Sequence, residues 1–483
     1  MALLSAALCV TLMLVRAFYA ISFTEPLQGI TTGAEAQSLN AIWRYIQGYP
    51  IYRDMHKIPF SAPVYNWLYF AAYGTIAGFF LDLLALEDPW LPTITRLITF
   101  TGILCGTILI YRFFIMAFQV IEPDLKRLCF AFAIFLFFGP LIGFFGVSTN
   151  PDIWAWVFDI AAIYIFFRYY DKHPFAILMV CVFAYLAWAF KQIFIYTPGT
   201  IGLFLLMRRD WKNLFLMCMI LGVAWIMTLV IGGQLYIDNI LFLGTTNEYL
   251  LKVIVRNILK FLEKSTPSVV GVFGISLFLV SNPKLIRELA CQSTSRMAFL
   301  GIFVAACLSL PTSMKSGAAE NYYFTLSFFL VFAMLATLIW LVRNNSVPRP
   351  LWGLLGVGWV LNMIAVLTVF AGVNGLLSVR PYHDDLMGAK ACMKDLPKPI
   401  FVEHIYLSLE WMNPAEHHFV LGYNYLLDRQ AGVEFERGGI NGLIQEGYFA
   451  ALLLKQQNGW FDSADFKRLS KPCGEFIVYI RDS

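Results

Sequence analysis

Residues 31–70 read TTGAEAQSLNAIWRYIQGYPIYRDMHKIPFSAPVYNWLYF, and their pattern is the first indication of the fold class. Between residues 39 and 46 its apolar residues recur at i, i+3, i+4 and i+7, which predicts an amphipathic helix. Gly48 and Pro50 end that helix. A helix of this kind lies on a membrane surface. Glu35 would then lie in its first turn, just above the lipid headgroups.

The composition of the whole chain indicates a membrane protein. Hydrophobic residues make up 59% of the 483 residues and charged residues 14%, and the mean hydropathy is +0.67. Soluble domains are about half apolar and about a quarter charged. The composition therefore excludes a soluble enzyme and a disordered chain. The net charge of +4 gives no indication of nucleic-acid binding.

Apolar blocks that are long enough to span, or nearly span, a bilayer core of about 30 Å recur along the chain. The run 174–207 is too long for one span and has basic residues at both ends, so we expect a helical hairpin with Lys191-Gln192 at its turn. With this hairpin the sequence predicts an all-α polytopic fold of about eleven spans with further helices along the outer surface. The other apolar blocks are 1–23, 97–119, 128–147, 153–168, 213–232, 267–281, 297–311, 322–342 and 351–376.

The block at 63–86 decides the orientation of every later loop. If it lies along the outer surface instead of crossing the membrane, basic residues concentrate in the cytoplasmic loops, as the positive-inside rule requires. We therefore expect that this block does not cross the membrane. The outer face then carries residues 24–96, 148–152, 191–192, 233–266 and 312–321, together with the tail from 377 onward.

Three charged residues near the outer face each have two interpretations. Glu35 completes a capping box with Thr32, or it acts as a general base. Asp152 balances a helix dipole at the start of a span, and Lys191 extends towards the headgroups. Alternatively both belong to a site, because charges so close to hydrocarbon are typical of functional positions.

Two further outer segments combine cations with aromatic or apolar residues. The loop 311–324 contains Lys315, Asn321 and Tyr322, and it is either an exposed loop before a span or a loop that binds phosphate or sugar. Between residues 248 and 262, basic residues step by four along an amphipathic helix. That helix either anchors to anionic headgroups or holds a phospholipid-like substrate.

The order of these features resembles the C-type (GT-C) integral membrane glycosyltransferases, in the branch of the bacterial protein O-mannosyltransferases and aminoarabinose transferases. An acidic residue after the first span is followed by an amphipathic helix, the pattern G-x-P-x-Y-x-D and a proline-led aromatic helix. The resemblance covers the membrane part, residues 1–376. The segments that carry it are Glu35, Gly48–Asp54, Pro63–Trp67, Asn150–Asp152, Lys191-Gln192 and Lys315–Tyr323.

The resemblance implies transfer of a sugar from a polyprenyl-phosphate carrier to a lipid-linked glycan or another extracytoplasmic acceptor, with inversion of the anomeric carbon. It implies Glu35 as the first candidate base and Asp152 as the second, with cations at the leaving phosphate. It leaves open whether a divalent cation takes part. The candidate substrate-binding residues are Arg44, Tyr52, Asp54, His56, Lys191, Gln192, Lys315, Asn321, Tyr322 and Arg380.

The same resemblance implies a location. The protein would lie among the lipids of a bacterial inner membrane, with the active site and the C-terminal tail on the periplasmic side. Neither a nucleotide nor a nucleic acid is needed, because the sugar arrives already activated on its lipid.

Residues 377–483 differ in composition from residues 1–376 and predict a second domain. Short β-type runs (PIFVEH, HHFVLGY and EFIVYI) accompany helix-type stretches (DDLMGAKACMKDL and GLIQEGYFAALLLKQQ), which predicts a small α/β module. Cys392 and Cys473 lie in this polar tail, outside the apolar blocks. In an oxidising compartment they would form a disulfide.

A transporter or flippase of a lipid-linked glycan is the alternative function. The charged residues near the membrane would then line a transport path. The sequence shows neither an internal repeat nor paired helix interruptions, which are typical of secondary transporters. These absences and the large surface-lying loops favour the enzyme.

Overall fold

The computed structural model describes residues 1–22, 34–60, 63–242, 248–344, 347–371, 383–404, 407, 423–455, 466–469, 473–474 and 476–481. Arg380 lies outside the described residues, as does most of the predicted strand HHFVLGY.

The first half of the chain folds into a succession of helices. Most are apolar on all sides, which is typical of helices that pack in a membrane bundle. In chain order they are α1 (Ala2–Ile21), α2 (Ala34–Ile46), α3 (Trp67–Leu83), α4 (Leu91–Phe118), α5 (Pro123–Phe138), α6 (Asp152–Tyr169), α7 (Ala176–Phe190), α8 (Tyr196–Met207) and α9 (Trp211–Ile237).

The second half of the membrane part continues in the same way, with one exception. The axis of α10 is bent by 87° from that of α11, so these two helices do not form one straight rod. The helices are α10 (Leu251–Lys264), α11 (Thr266–Val280), α12 (Pro283–Cys291), α13 (Ser293–Thr312), α14 (Phe324–Arg343) and α15 (Arg349–Val366).

The all-α membrane architecture predicted from the sequence is confirmed. The run 174–207 is divided, as predicted, into two helices, α7 and α8, with Lys191 in the turn between them. Among the described residues six helices are long and apolar enough to cross a membrane, or seven if α10 and α11 form one broken span, and α3, α7 and α8 are shorter apolar helices. The count of eleven spans is therefore not confirmed.

The predicted amphipathic helix is α2, but it is largely buried in the protein rather than lying on a membrane surface, and it packs directly on α3. Gly74 of α3 lies under the Tyr45 ring, where an added Cβ would come within 2.4 Å of a ring carbon. The Tyr45 hydroxyl lies 3.2 Å from Thr75 Oγ1, and Trp43 donates a hydrogen bond of 2.8 Å to Asp88. These contacts hold α2 and α3 together as one unit. Whether α3 crosses the membrane stays a prediction.

The tail folds into a four-stranded sheet with helices, as the sequence predicts. The strand order is β1-β2-β4-β3, with β1 and β2 parallel and the other two pairs antiparallel. Its elements are α16 (His383–Met393), β1 (Ile400–Val402), α17 (Tyr423–Gln430), α18 (Gly439–Gln445), β2 (Ala451–Leu454), β3 (Phe466–Arg468) and β4 (Ile477–Arg481).

One prediction for the tail is wrong. The stretch GLIQEGYFAALLLKQQ was expected to be helical throughout, but only its beginning belongs to α18, and Ala451–Leu454 forms strand β2. This strand lies between β1 and β4 and all four of its residues are buried. A fully buried strand reads as a continuous apolar run, which periodicity does not distinguish from a buried helix.

The tail packs at two places on the segment between α1 and α3. Ala36 of α2 belongs to the same buried cluster as Ala389 and Met393 of α16. Phe60 lies in a second buried cluster with residues of β1, β2 and α18. Cys392 and Cys473 form a disulfide with their Cα atoms 5.7 Å apart, as predicted.

Candidate functional site

Glu35 lies at the start of α2 and is completely buried. Arg96 binds its carboxylate with two hydrogen bonds, from Nε to Oε1 at 3.0 Å and from Nη2 to Oε2 at 2.9 Å. The backbone N–H of Thr149 donates a third bond of 2.8 Å to Oε1. Both oxygens of Glu35 are therefore engaged in a buried, charge-assisted pair.

The sequence analysis missed Arg96 as the partner of Glu35. Arg96 is also completely buried, and its Nη1 donates a hydrogen bond of 2.6 Å to the carbonyl of Ala20 at the end of α1. A single arginine at the start of a long apolar block was the available signal, since such a charge needs a buried partner. The pair joins α1, α2 and α4 at one point.

Asp152 forms a second buried centre at the start of α6. Lys191 Nζ lies 2.6 Å from its Oδ1, and Asn321 Nδ2 donates a hydrogen bond of 2.8 Å to the same oxygen. The other oxygen, Oδ2, is buried and has no hydrogen-bond partner among the described residues. Asp152, Lys191 and Asn321, which come from separate stretches of the sequence, thus meet at one carboxylate.

Aromatic rings flank the lysine of this centre. Lys191 Nζ lies 5.5 Å from the centroid of the Tyr65 ring and 5.4 Å from that of Tyr322, within the range of cation–π attraction. The Tyr52 hydroxyl donates to the Tyr65 carbonyl at 2.9 Å, and Gln192 donates to the Val64 carbonyl at 3.0 Å. The predicted residues Tyr52, Gln192 and Tyr322 therefore belong to this centre or support it.

The two carboxylates share the turn at residues 148–152. Thr149 contacts Glu35, and Asp152 lies three residues later. The Thr149 hydroxyl lies 2.7 Å from that of Thr95 on α4, and the Tyr73 hydroxyl donates to the Asn150 carbonyl at 3.2 Å. The turn is thus held on several sides, so Glu35 contributes to the position of Asp152.

The amphipathic helix α10 holds the loop that supplies Asn321. Buried Glu320 pairs with Lys264, and Lys260 Nζ lies 3.7 Å from its Oε2. Asn257 donates to the carbonyls of Ser313 and Ala318 at 3.0 and 3.1 Å. Part of the cationic stripe predicted from the sequence therefore binds protein rather than lipid.

Four other predicted residues have partners outside the Asp152 centre. Asp54 accepts the backbone N–H of His56 at 3.0 Å, and His56 Nε2 lies 3.8 Å from Asp428 of the tail. Arg44 donates to the Pro50 carbonyl and lines a small pocket with Gln37 and other residues of α2 and the following loop. Lys315 is half-buried, with Nζ over the Tyr249 ring, and Arg380 lies outside the described residues.

A further buried carboxylate was not singled out from the sequence. Asp159 lies seven residues after Asp152 on the same helix and is 1% exposed. Its Oδ1 accepts the backbone N–H of Thr197 in the first turn of α8 at 3.2 Å. The first N–H groups of a helix have no partner within the helix, so an acceptor oxygen placed there satisfies one of them. Asp159 therefore ties the start of α8 to α6.

The residues around the two carboxylates do not fit a metal site. Within the described ranges, no three His, Cys, Asp or Glu side chains are grouped closely enough to hold a metal ion. Each carboxylate already has a cationic partner, Arg96 for Glu35 and Lys191 for Asp152.

Comparisons with known proteins concern the fold. No protein-family model matches the sequence, and no curated protein matches it. Among solved structures, the chain is similar to apo ArnT from Cupriavidus metallidurans, with a TM-score of 0.55 and 12% identity over 98% of this chain and 97% of that one. ArnT has the GT-C fold. This chain has the GT-C fold too.

A second solved structure is similar over a smaller part of its length. It is the apo oligosaccharyltransferase from Archaeoglobus fulgidus, with a TM-score of 0.48 and 10% identity over 85% of this chain and 64% of that one. The GT-C fold predicted from the order of the sequence motifs is therefore confirmed by the ArnT comparison.

Proposed function

We propose that the protein is a membrane glycosyltransferase, which moves a sugar from a polyprenyl-phosphate carrier to a lipid-linked glycan or another extracytoplasmic acceptor. The observation that carries the proposal is the convergence of Asp152, Lys191 and Asn321 with Tyr322 into one buried centre. A GT-C fold is shared with ArnT, a glycosyltransferase, and this supports the same class of reaction.

The proposed base is Asp152. The acceptor hydroxyl gives its proton to Oδ2, while Lys191 and Asn321 hold Oδ1 and keep the carboxylate charged and oriented. The sequence put Glu35 first for this role. The geometry favours Asp152, because both oxygens of Glu35 accept hydrogen bonds from Arg96. Glu35 then positions the turn that carries Asp152 and remains the second candidate.

The sugar is transferred by a direct displacement. The acceptor oxygen attacks the anomeric carbon, the bond from that carbon to the phosphate oxygen breaks, and the electron pair leaves with the polyprenyl phosphate. Attack opposite the leaving group inverts the anomeric centre. Lys315 and Arg380, with Lys191, are the cations proposed to neutralise the phosphate that departs.

We place the site on the periplasmic side of a bacterial inner membrane, with residues 377–483 as a separate module above it. The distribution of basic residues between loops supports this side. The Cys392–Cys473 disulfide supports an oxidising compartment for the module. Because Ala36 next to Glu35 packs on α16, the module would cover the site and contribute to acceptor recognition.

The test is a transfer assay on the purified full-length protein. A panel of radiolabelled polyprenyl-phosphate hexoses and pentoses is supplied with an extract of bacterial envelope lipids, and the release of polyprenyl phosphate is followed. The proposal predicts release with at least one donor, and loss of release in Asp152→Asn. Lys172→Gln, a change of an exposed charge in the loop before α7, is the control and should retain activity.

The alternative of a transporter or flippase predicts a different result in the same preparation. The protein in sealed vesicles would move a lipid-linked sugar across the bilayer without releasing polyprenyl phosphate. The fold supports the transferase and not this alternative. Translocation without release for every donor would nevertheless overturn the proposed function.

A further inference from the structure

One face of α10 is apolar and exposed. Leu251, Val255, Leu259 and Leu262 are 72%, 49%, 60% and 41% exposed and follow each other at helical spacing. The opposite face, with Val253, Asn257 and Phe261, is buried against the rest of the protein. Such a stripe on an amphipathic helix is typical of helices that lie in the interface of a lipid bilayer.

Cations lie beside this apolar stripe. Lys252 and Arg256 are exposed one position after Leu251 and Val255, so the two rows run next to each other along the helix. The bend of 87° between α10 and the apolar helix α11 turns α10 across the direction of its neighbour. If α11 enters the bilayer, α10 lies along its surface with its cations at the level of the headgroups.

The buried side of the same helix leads to Asp152. Lys264 and Lys260 hold Glu320, and the Phe261 ring stacks on Tyr323 with centroids 5.0 Å apart. Asn321, between these two residues, donates to Asp152. The position of α10 therefore determines the position of a side chain in the buried centre.

We propose that α10 is a binding site for anionic phospholipid, with Lys252 and Arg256 on the phosphate of the headgroup and the apolar stripe among the acyl chains. Complementary charge selects an anionic leaflet over a zwitterionic one. Lipid bound there fixes α10 and, through Glu320, the loop that carries Asn321. The lipid site itself does not depend on the proposed sugar transfer.

The experiment measures thermal unfolding of the full-length protein in nanodiscs. One set contains phosphatidylcholine alone and the other contains phosphatidylcholine with phosphatidylglycerol, and no sugar donor is present. The wild type should unfold at a higher temperature in the anionic discs. The change Lys252→Gln/Arg256→Gln should remove most of that difference. Lys252→Gln alone should reduce it, and this single variant keeps the Arg256–Ala318 hydrogen bond, which the double variant loses.

The matched control removes two exposed cations from another amphipathic helix, Lys284→Gln/Arg287→Gln on α12, and should keep the difference between discs. A lipid-dependent difference that persists in the α10 variants would overturn the proposal. An equal loss of the temperature difference in the control variant would also overturn it. So would a temperature difference that arises only when polyprenyl phosphate replaces phosphatidylglycerol, because the α10 surface would then bind the sugar donor. Failure of the transfer assay would leave these results unaffected.

Discussion

Glu35 and Arg96 are both completely buried. The free energy of burying either charge therefore depends on the presence of the other. Two ions leave water, and the cost is offset only because the carboxylate receives three hydrogen bonds with good geometry. The pair joins the end of α1, the start of α2 and the turn before α6. Its first consequence is therefore for stability and not for catalysis.

The change Glu35→Gln should lower the free energy of unfolding by about 3–5 kcal/mol, because Arg96 loses the buried carboxylate with which it pairs. Denaturant unfolding of the purified protein in detergent measures this. The double variant Glu35→Leu/Arg96→Met replaces the pair by apolar groups and should recover most of the loss. An unchanged unfolding midpoint in Glu35→Gln would show that the ion pair does not hold these segments together.

His404 at the end of β1 is a second residue whose environment has a measurable consequence. Burial, with a smaller contribution from Lys455, lowers the pKa of His404 to about 3. In the unfolded chain a histidine has a pKa near 6.5, so below that pH the unfolded state binds a proton that the folded state does not. Stability should fall as the pH decreases from about 6.5 towards 3, by about 1.4 kcal/mol per pH unit.

Thermal unfolding at pH 7 and pH 5 tests this effect of His404. The wild type should lose more stability between the two pH values than His404→Asn, which carries no titrating group at this position. The carboxylates of the protein contribute equally to the pH dependence of the wild type and of the variant. If the two proteins show the same pH dependence, His404 is not buried in its neutral form.

At the scale of elements, α6 holds the turn between α7 and α8 at two points. Asp152 pairs with Lys191 at the beginning of the turn, and Asp159 accepts the N–H of Thr197 just after its end. The segment between them includes Lys191 and Gln192. Asp159 is therefore a positioning residue for Lys191, although it lies seven residues after Asp152 on α6.

Asp159→Leu should raise the KM for the donor and lower kcat, because α8 loses its acceptor at Thr197 and Lys191 moves relative to Asp152. Asp159→Asn keeps a hydrogen-bond acceptor, and it should restore both values to near those of the wild type. Steady-state kinetics of the two variants provide the measurement. If the Asn variant folds but is as inactive as the Leu variant, the site needs the charge of Asp159 and the positioning role is wrong.

The candidate residues chosen from the sequence include the three that meet at Asp152, but not Arg96, the partner of Glu35. Asp152, Lys191 and Asn321 each stand at the outer end of an apolar block, and one sidedness argument brings such ends together. Arg96 was not predicted as a site residue, because it directly precedes the apolar block 97–119 and such a position is typical of a loop residue. The contact between His56 and Asp428 depends on how the tail packs on the rest of the protein. No local pattern specifies contacts between residues so far apart.

At the scale of the whole molecule, the orientation of every loop after α3 depends on whether α3 crosses the membrane. We predict that it does not, so that Glu87 after α3 lies in the periplasm. A Glu87→Cys variant should react with a membrane-impermeant maleimide in intact spheroplasts, above the labelling of the unmodified protein. Lys172→Cys, which is exposed in a predicted cytoplasmic loop, should react only after lysis. The reverse pattern would invert the topology and place the site on the cytoplasmic side.

Transfer rates of two matched variants test whether Asp152 is the base of the sugar transfer. Asp152→Asn and Glu35→Gln each replace a carboxylate by the corresponding amide, and both are assayed with the same polyprenyl-phosphate sugar after their folded fractions have been equalised. If Asp152 is the base, Asp152→Asn should lower the rate constant of transfer by about 10²–10⁴-fold. Folded Glu35→Gln should show a clearly smaller decrease in the same rate constant. Near-normal transfer by folded Asp152→Asn, with most activity lost in Glu35→Gln, would contradict it.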